Sequence, residues 1–351
     1  MENANKKRLI TFIAVAYGVA AIMWIFMSIG LKSGKDLTAF ANAQMFYPAC
    51  GVMLGLLLFG DKEKKLPKAG FIVALITAAV MIIVSIISAF AEHTMITTAA
   101  GTVSNWNLYT QYILIVGSII CYILFWACGR EKRRNAGLCR NNIKTSVILV
   151  FVFIALYILR VYISVFLSGL VNNDVSASVG QINQILSNPQ IIISAVVILI
   201  NFPLTFLAFW GEEYGWRYYL QGILQKKFGL RLGVLILGVV WGLWHFGLDM
   251  MFYTTSTGPV YLISQIITCI SLGIFFGYVY MKTQNIWAVA LMHFINNNYV
   301  VLLSGGDVNV LQNQTVTLSE IPLQIISCLL YMAFILAPIY SGKKKEIIEI
   351  Q

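Results

Sequence analysis

Gly211-Glu212-Glu213-Tyr214-Gly215-Trp216-Arg217 closes a long apolar run over residues 190–211 and sets two adjacent carboxylates where hydrocarbon would otherwise continue. A charged group in or beside a bilayer core is costly, so an acid in that position marks function by default. The rest of the chain has the composition of a membrane protein. Of its 351 residues 59% are hydrophobic and only 11% charged, with a mean hydropathy of +0.80. A soluble domain carries about a quarter charged residues. The pattern predicts an all-α polytopic membrane protein.

A helix crosses the hydrocarbon core with about 20 apolar residues, and about ten stretches qualify. They run over 9–31, 38–59, 69–90, 108–128, 145–168, 190–211, 230–247, 260–281, 286–304 and 321–340. The second is interrupted by Asn42, Gln44 and Pro48, and the seventh is short. Lys6-Lys7-Arg8 before the first run resembles the start of a signal peptide, but the run is long and lacks a small-x-small cleavage site, which predicts a retained first span.

The net charge of +10 is distributed by loop. Lys and Arg gather at Lys6-Lys7-Arg8, at Lys62–Lys68, at Arg130–Lys144, at Lys226, Lys227 and Arg231, at Lys282 and at Lys343-Lys344-Lys345. The alternate loops carry almost none, Lys32 and Lys35 excepted. This alternation is the positive-inside pattern, with both termini cytoplasmic and an even number of spans. The basic clusters read as topology signals and anionic-lipid contacts rather than a nucleic-acid surface. The six cysteines, Cys50, Cys121, Cys128, Cys139, Cys269 and Cys328, form no Cys-x-x-Cys pair and read as packing residues.

Two of the three histidines, His245 and His293, lie in later apolar segments. Glu212 and His245 are placed symmetrically about the break Lys226-Lys227-Phe228-Gly229. A helical hairpin turning there puts each about 16 residues, roughly 20–25 Å, from the tip. His293 follows Lys282 by eleven residues, or about 16 Å of helix, so all three can share one depth near the cytoplasmic side. Glu213 and Arg217 stand i, i+4 and can pair, while Glu212 points about 100° away. Trp241 with His245, and His293 with Asn297, have the same spacing. Imidazole and amide donors side by side suit an oxyanion, and a glutamate near a histidine suits water activation.

Each feature also has a structural role open to it. An i, i+4 ion pair can be scaffolding, a lone histidine can be packing, and Asn296, Asn297 and Asn298 can bridge helices. Asp249 reads as a boundary residue at the outer end of the seventh span, and Arg160 as an intramembrane cation without an evident partner in sequence. The glycine pairs Gly238/Gly242 and Gly273/Gly277 predict close helix packing. The conjunction of acids, histidines and asparagine points to chemistry.

Glu212-Glu213-x-x-x-Arg217, Trp241-x-x-x-His245 and His293-x-x-x-Asn297, in that order, resemble the signature of the CAAX prenyl endopeptidase and bacteriocin-processing family of intramembrane proteases, including the Abi-like bacterial members. The second motif there often begins with Phe, where this chain has Trp241. The resemblance covers roughly residues 190–300 and implies a CAAX-protease-like catalytic core over 186–304. That core would follow an N-terminal membrane region of about five helices over 1–185 and precede a final span and basic tail over 305–351. It implies Glu212 as general base, His245 as its aid in activating water, His293 and Asn297 as oxyanion donors, and Glu213 with Arg217 as organisers of the site. The family has also been regarded as zinc enzymes, which would make Glu212, His245 and His293 the ligands. Lacking a nearby Cys and a His-Glu-x-x-His motif, the chain favours no metal and no other cofactor. The expected substrate is a membrane-associated peptide or protein, and the expected location is the bacterial cytoplasmic membrane. A scaffold that binds a partner protein is the non-enzyme alternative. A proton-coupled transporter is weakened by the absence of inverted repeats.

Overall fold

A computed structural model describes residues 2–98, 101–304 and 308–342, so the basic tail Lys343-Lys344-Lys345 lies outside the described residues. Apart from one small hairpin, the regular structure of the described residues is helical, as an apolar chain crossing lipid must be if its backbone is to satisfy its own hydrogen bonds. Among the described residues nine helices are long and apolar enough to cross a membrane. In chain order they are α1 (Asn3–Lys32), α2 (Thr38–Phe59), α3 (Lys68–Ser88), α4 (Asn105–Ala127), α5 (Ile143–Val171) and α6 (Pro189–Phe228), then, after the shorter α7 (Leu230–Trp244), α8 (Gly258–Thr283), α9 (Ile286–Leu303) and α10 (Leu318–Leu336). The seventh of the ten candidate spans is thus the short α7, and the chain resumes after His245 as a short helix over Phe246–Met251.

The polar residues that interrupt the second span are accommodated singly. Gln44 accepts from Trp24 Nε1 at 3.1 Å, and Asn42 donates to Thr110 Oγ1 at 2.8 Å. Pro48 stands in the first turn of the segment Tyr47–Phe59, where a missing N–H costs nothing. Two features lie outside the ten expected stretches. Met95–Thr98 and Gly101–Ser104 pair as antiparallel strands β1 and β2 between α3 and α4, with Met95 opposite Ser104. And α6 does not stop at residue 211. It runs on through the carboxylates to Phe228, with a widened π-helical stretch over Tyr214–Leu220.

The chain divides into two compact units. One comprises Met1–Asn141, Phe202–Leu220 and Gln284–Leu291, and the other Asn142–Asn201, Gln221–Thr283 and Met292–Gln351. In the first unit α1 lies against α2, where Gly51 admits the Phe12 backbone, and Ser85 on α3 donates to the Ala39 carbonyl at 2.9 Å. In the second unit Gly229, with φ +89°, turns the chain between the end of α6 and α7, as the break at Phe228-Gly229 predicts. α7 then packs on α8 through its glycines. A Cβ on Gly238 would stand 2.5 Å from the Ile270 Cα, and one on Gly242 2.7 Å from the Ile266 Cα. Exposed rows such as Ile72, Ile76, Ile83 and Ile87 on α3 would be a liability in water and are the expected surface toward lipid.

Candidate active site

In the first unit the acidic motif is wholly enclosed. Glu212 is 2% exposed, and Glu213 and Arg217 are fully buried. Arg217 Nη1 donates to Glu213 Oε1 at 3.0 Å, the ion pair that the i, i+4 spacing predicts. Two glycines let the neighbouring chain come close on either side of it. A Cβ on Gly211 would meet the Met45 carbonyl oxygen at 2.7 Å, and one on Gly215 would overlap Pro48 Cβ at 2.2 Å. An aromatic ladder runs along the same helix, with Trp210 stacked on Tyr214 and Tyr214 on Tyr218, each with ring centroids 4.5 Å apart. Tyr214 also donates to the Ala136 carbonyl at 2.8 Å. Insertions that widen a helix into π form are frequent at functional sites, and of the two π-helical stretches, Ala14–Val19 in α1 and Tyr214–Leu220, the second begins directly after Glu213.

In the second unit the two histidines share one aromatic neighbour. His245 is 6% and His293 4% exposed. The Trp241 indole lies 6.1 Å from the His245 ring and 5.6 Å from the His293 ring, centroid to centroid, the latter edge-on. Trp244 packs edge-on to His245 at 5.0 Å, and Phe276 borders His293 at 6.2 Å. His245 stands where α7 ends, with its Nδ1 3.0 Å from the Trp241 carbonyl oxygen. A carbonyl only accepts, so Nδ1 carries the proton and a neutral His245 presents Nε2 as an acceptor. Asn297 lies one turn beyond His293, and its Oδ1 accepts from Asn296 Nδ2 at 3.0 Å. The Asn297 side chain also carries two amide N–H donors.

Asn296 is a supporting residue that the motif spacing does not single out. Asp249 differs from its reading as a boundary residue. It is fully buried one turn past His245, and neither carboxylate oxygen has a hydrogen-bond partner among the described residues. Arg160 forms no ion pair among the described residues; its guanidinium lies 5.5 Å from the Tyr157 ring centroid. Among the described residues, neither unit by itself brings three His, Cys, Asp or Glu side chains into a group that could hold a metal.

Residues 191–299 match the family model described as Type II CAAX prenyl endopeptidase Rce1-like. The motif segment is Rce1-like. The match begins in α6, ends in α9 and includes all seven residues of the three motifs, Glu212, Glu213, Arg217, Trp241, His245, His293 and Asn297. It is the same family that the motifs resemble. No curated protein and no solved structure matches the chain. The Rce1-like segment takes in parts of both compact units, because α6 and α9 each carry residues of both.

Proposed function

We propose that this protein is an intramembrane endopeptidase of the CAAX type, with residues 186–304 as its catalytic core. The Rce1-like match over the motif-bearing segment supports a membrane protease. The observation that carries the mechanism is the 3.0 Å contact of His245 Nδ1 with the Trp241 carbonyl oxygen, which assigns the ring proton to Nδ1 and leaves Nε2 as an acceptor. Glu212 takes a proton from water as general base, with His245 Nε2 orienting the same water. The hydroxide so formed adds to the carbonyl carbon of a peptide bond in a membrane-associated substrate. The resulting oxyanion is held by His293 and by the Asn297 amide, and the proton on Glu212 passes to the departing amine as the C–N bond breaks. Glu213 and Arg217, already paired, hold the acidic helix in place. The reaction needs no metal, and we propose the bacterial cytoplasmic membrane, with both termini cytoplasmic, as its setting.

The test is hydrolysis of a fluorogenic peptide library by the detergent-purified protein, with and without a strong chelator. Cleavage that survives the chelator is expected. Cleavage abolished by the chelator and restored by zinc would replace the metal-free mechanism with one in which Glu212, His245 and His293 hold the ion. A protein that binds a partner yet cleaves no peptide under any condition would be a scaffold.

A further inference from the structure

An arginine pair at the end of α4 is not used by the proposed chemistry. Within the first unit, the Trp126 ring carries two guanidinium groups, that of Arg140 at 3.9 Å and that of Arg133 at 4.9 Å from its centroid. Arg140 Nη2 donates to the Tyr122 hydroxyl at 2.9 Å, and Arg133 Nη1 donates to the Trp126 carbonyl. A guanidinium has five N–H donors, so most of the donors of both groups remain to be used. Neither arginine has a carboxylate partner among the described residues, and the acid nearest in sequence, Glu131, is paired with Lys65 at 3.2 Å. Two like charges on one indole repel each other unless an anion lies between them.

The position of the pair says what that anion is attached to. Trp126 is the last ring of an apolar 23-residue helix, and indoles at such ends lie at the level of lipid headgroups. Behind it along α4, Ile123, Ile119 and Val116 follow at intervals of three or four residues and are among the exposed apolar side chains. They form a strip on which an acyl chain can lie, which a free phosphate would leave unused. The loop that carries both arginines is tied to the acidic motif, since its Ala136 carbonyl accepts from Tyr214 and its Gly137 lies under the Tyr218 ring.

We propose that Arg133 and Arg140, over Trp126, bind the phosphate of an anionic phospholipid whose acyl chain lies along Ile123, Ile119 and Val116. The bound lipid braces the loop that touches Tyr214, the residue after Glu213. This site stands independently of the peptidase mechanism. Its test is native mass spectrometry of the full chain released from micelles containing phosphatidylglycerol or phosphatidylcholine. Wild type is expected to retain phosphatidylglycerol in preference to phosphatidylcholine. Arg133→Ala and Arg140→Ala should each weaken that retention about fivefold, the contribution of one basic residue near an anionic surface. Arg134→Ala removes an exposed charge from the same loop but not from the indole, and should cost much less. Melting temperature in neutral detergent verifies the fold, and Arg133→Gln or Arg140→Gln, which keeps a polar, uncharged side chain, replaces an alanine variant that fails it. Equal losses in Arg134→Ala and Arg140→Ala would mean diffuse attraction and overturn the site. So would equal retention of the two lipids, or displacement of phosphatidylglycerol by inorganic phosphate at similar concentration.

Discussion

Removing one member of the Glu213–Arg217 pair should cost more than removing both. The pair is fully buried, with Nη1 and Oε1 3.0 Å apart. Two unit charges about 4 Å apart attract by about 4 kcal/mol at an effective dielectric near 20. Taking one away also strands the other in a medium that solvates it poorly, and the combined loss on breaking a buried pair is about 3–5 kcal/mol. Glu213→Leu and Arg217→Met should therefore each lower stability by about that amount, a large share of the roughly 5–15 kcal/mol of a folded protein. The double variant, which puts apolar side chains of similar volume in place of both charges, should lie within about 1 kcal/mol of wild type or above it. Reversible unfolding in mixed sodium dodecyl sulfate micelles, followed by tryptophan fluorescence, yields the coupling energy from the four proteins. If the single variants express too poorly to measure, recovery of folded protein in the double variant reports the same coupling. Additive losses, or a Glu213→Leu variant as stable as wild type, would show that the two charges do not depend on each other.

Gly215→Ala should destabilise by about 1–3 kcal/mol through overpacking against Pro48, whereas Gly18→Ala, with no neighbouring atom within 4 Å, should be neutral or mildly stabilising; melting temperatures of the two compare them directly. His293→Ala and Asn297→Ala should each cut peptide turnover about a hundredfold or more at unchanged melting temperature, as the loss of one oxyanion donor does, and Asn296→Ala should cost less because it only orients Asn297. Single cysteines placed over residues 130–144 of a cysteine-free background should react with an impermeant maleimide only from the cytoplasmic side, and labelling from outside would reverse the proposed orientation.

The spans were legible because hydropathy alone separates hydrocarbon from water, and even the interrupted α2 keeps that signal through Gln44 and Asn42. The continuation of α6 past residue 211 was legible only as the helical hairpin that sets Glu212 and His245 about the break at Phe228-Gly229. Two adjacent carboxylates look like the end of a span, yet Glu213 is neutralised by Arg217 and the Trp210–Tyr214–Tyr218 ladder carries the helix on. The π-helical stretch leaves no trace in the apolar pattern, because one extra residue per turn over seven residues is too short to shift a period. The strands Met95–Thr98 and Gly101–Ser104 are four residues each and fall in a loop, where a membrane-scale reading of hydropathy has no resolution. Within the site, spacing identified Glu213 with Arg217 because i, i+4 is a property of one helix. The contact of Trp241 with both imidazoles, and the burial of Asp249, depend on how α7, α8 and α9 pack in the second unit, which spacing along one helix does not encode.

Glu212→Gln tests the central proposal most directly, since it preserves the shape of the side chain and removes its basicity. Peptide hydrolysis by this variant is to be measured beside wild type at matched melting temperature, with and without chelator. A general base at Glu212 predicts that the variant folds, binds substrate and cleaves nothing detectable, while wild type cleaves with the chelator present. Full cleavage by Glu212→Gln would contradict the mechanism.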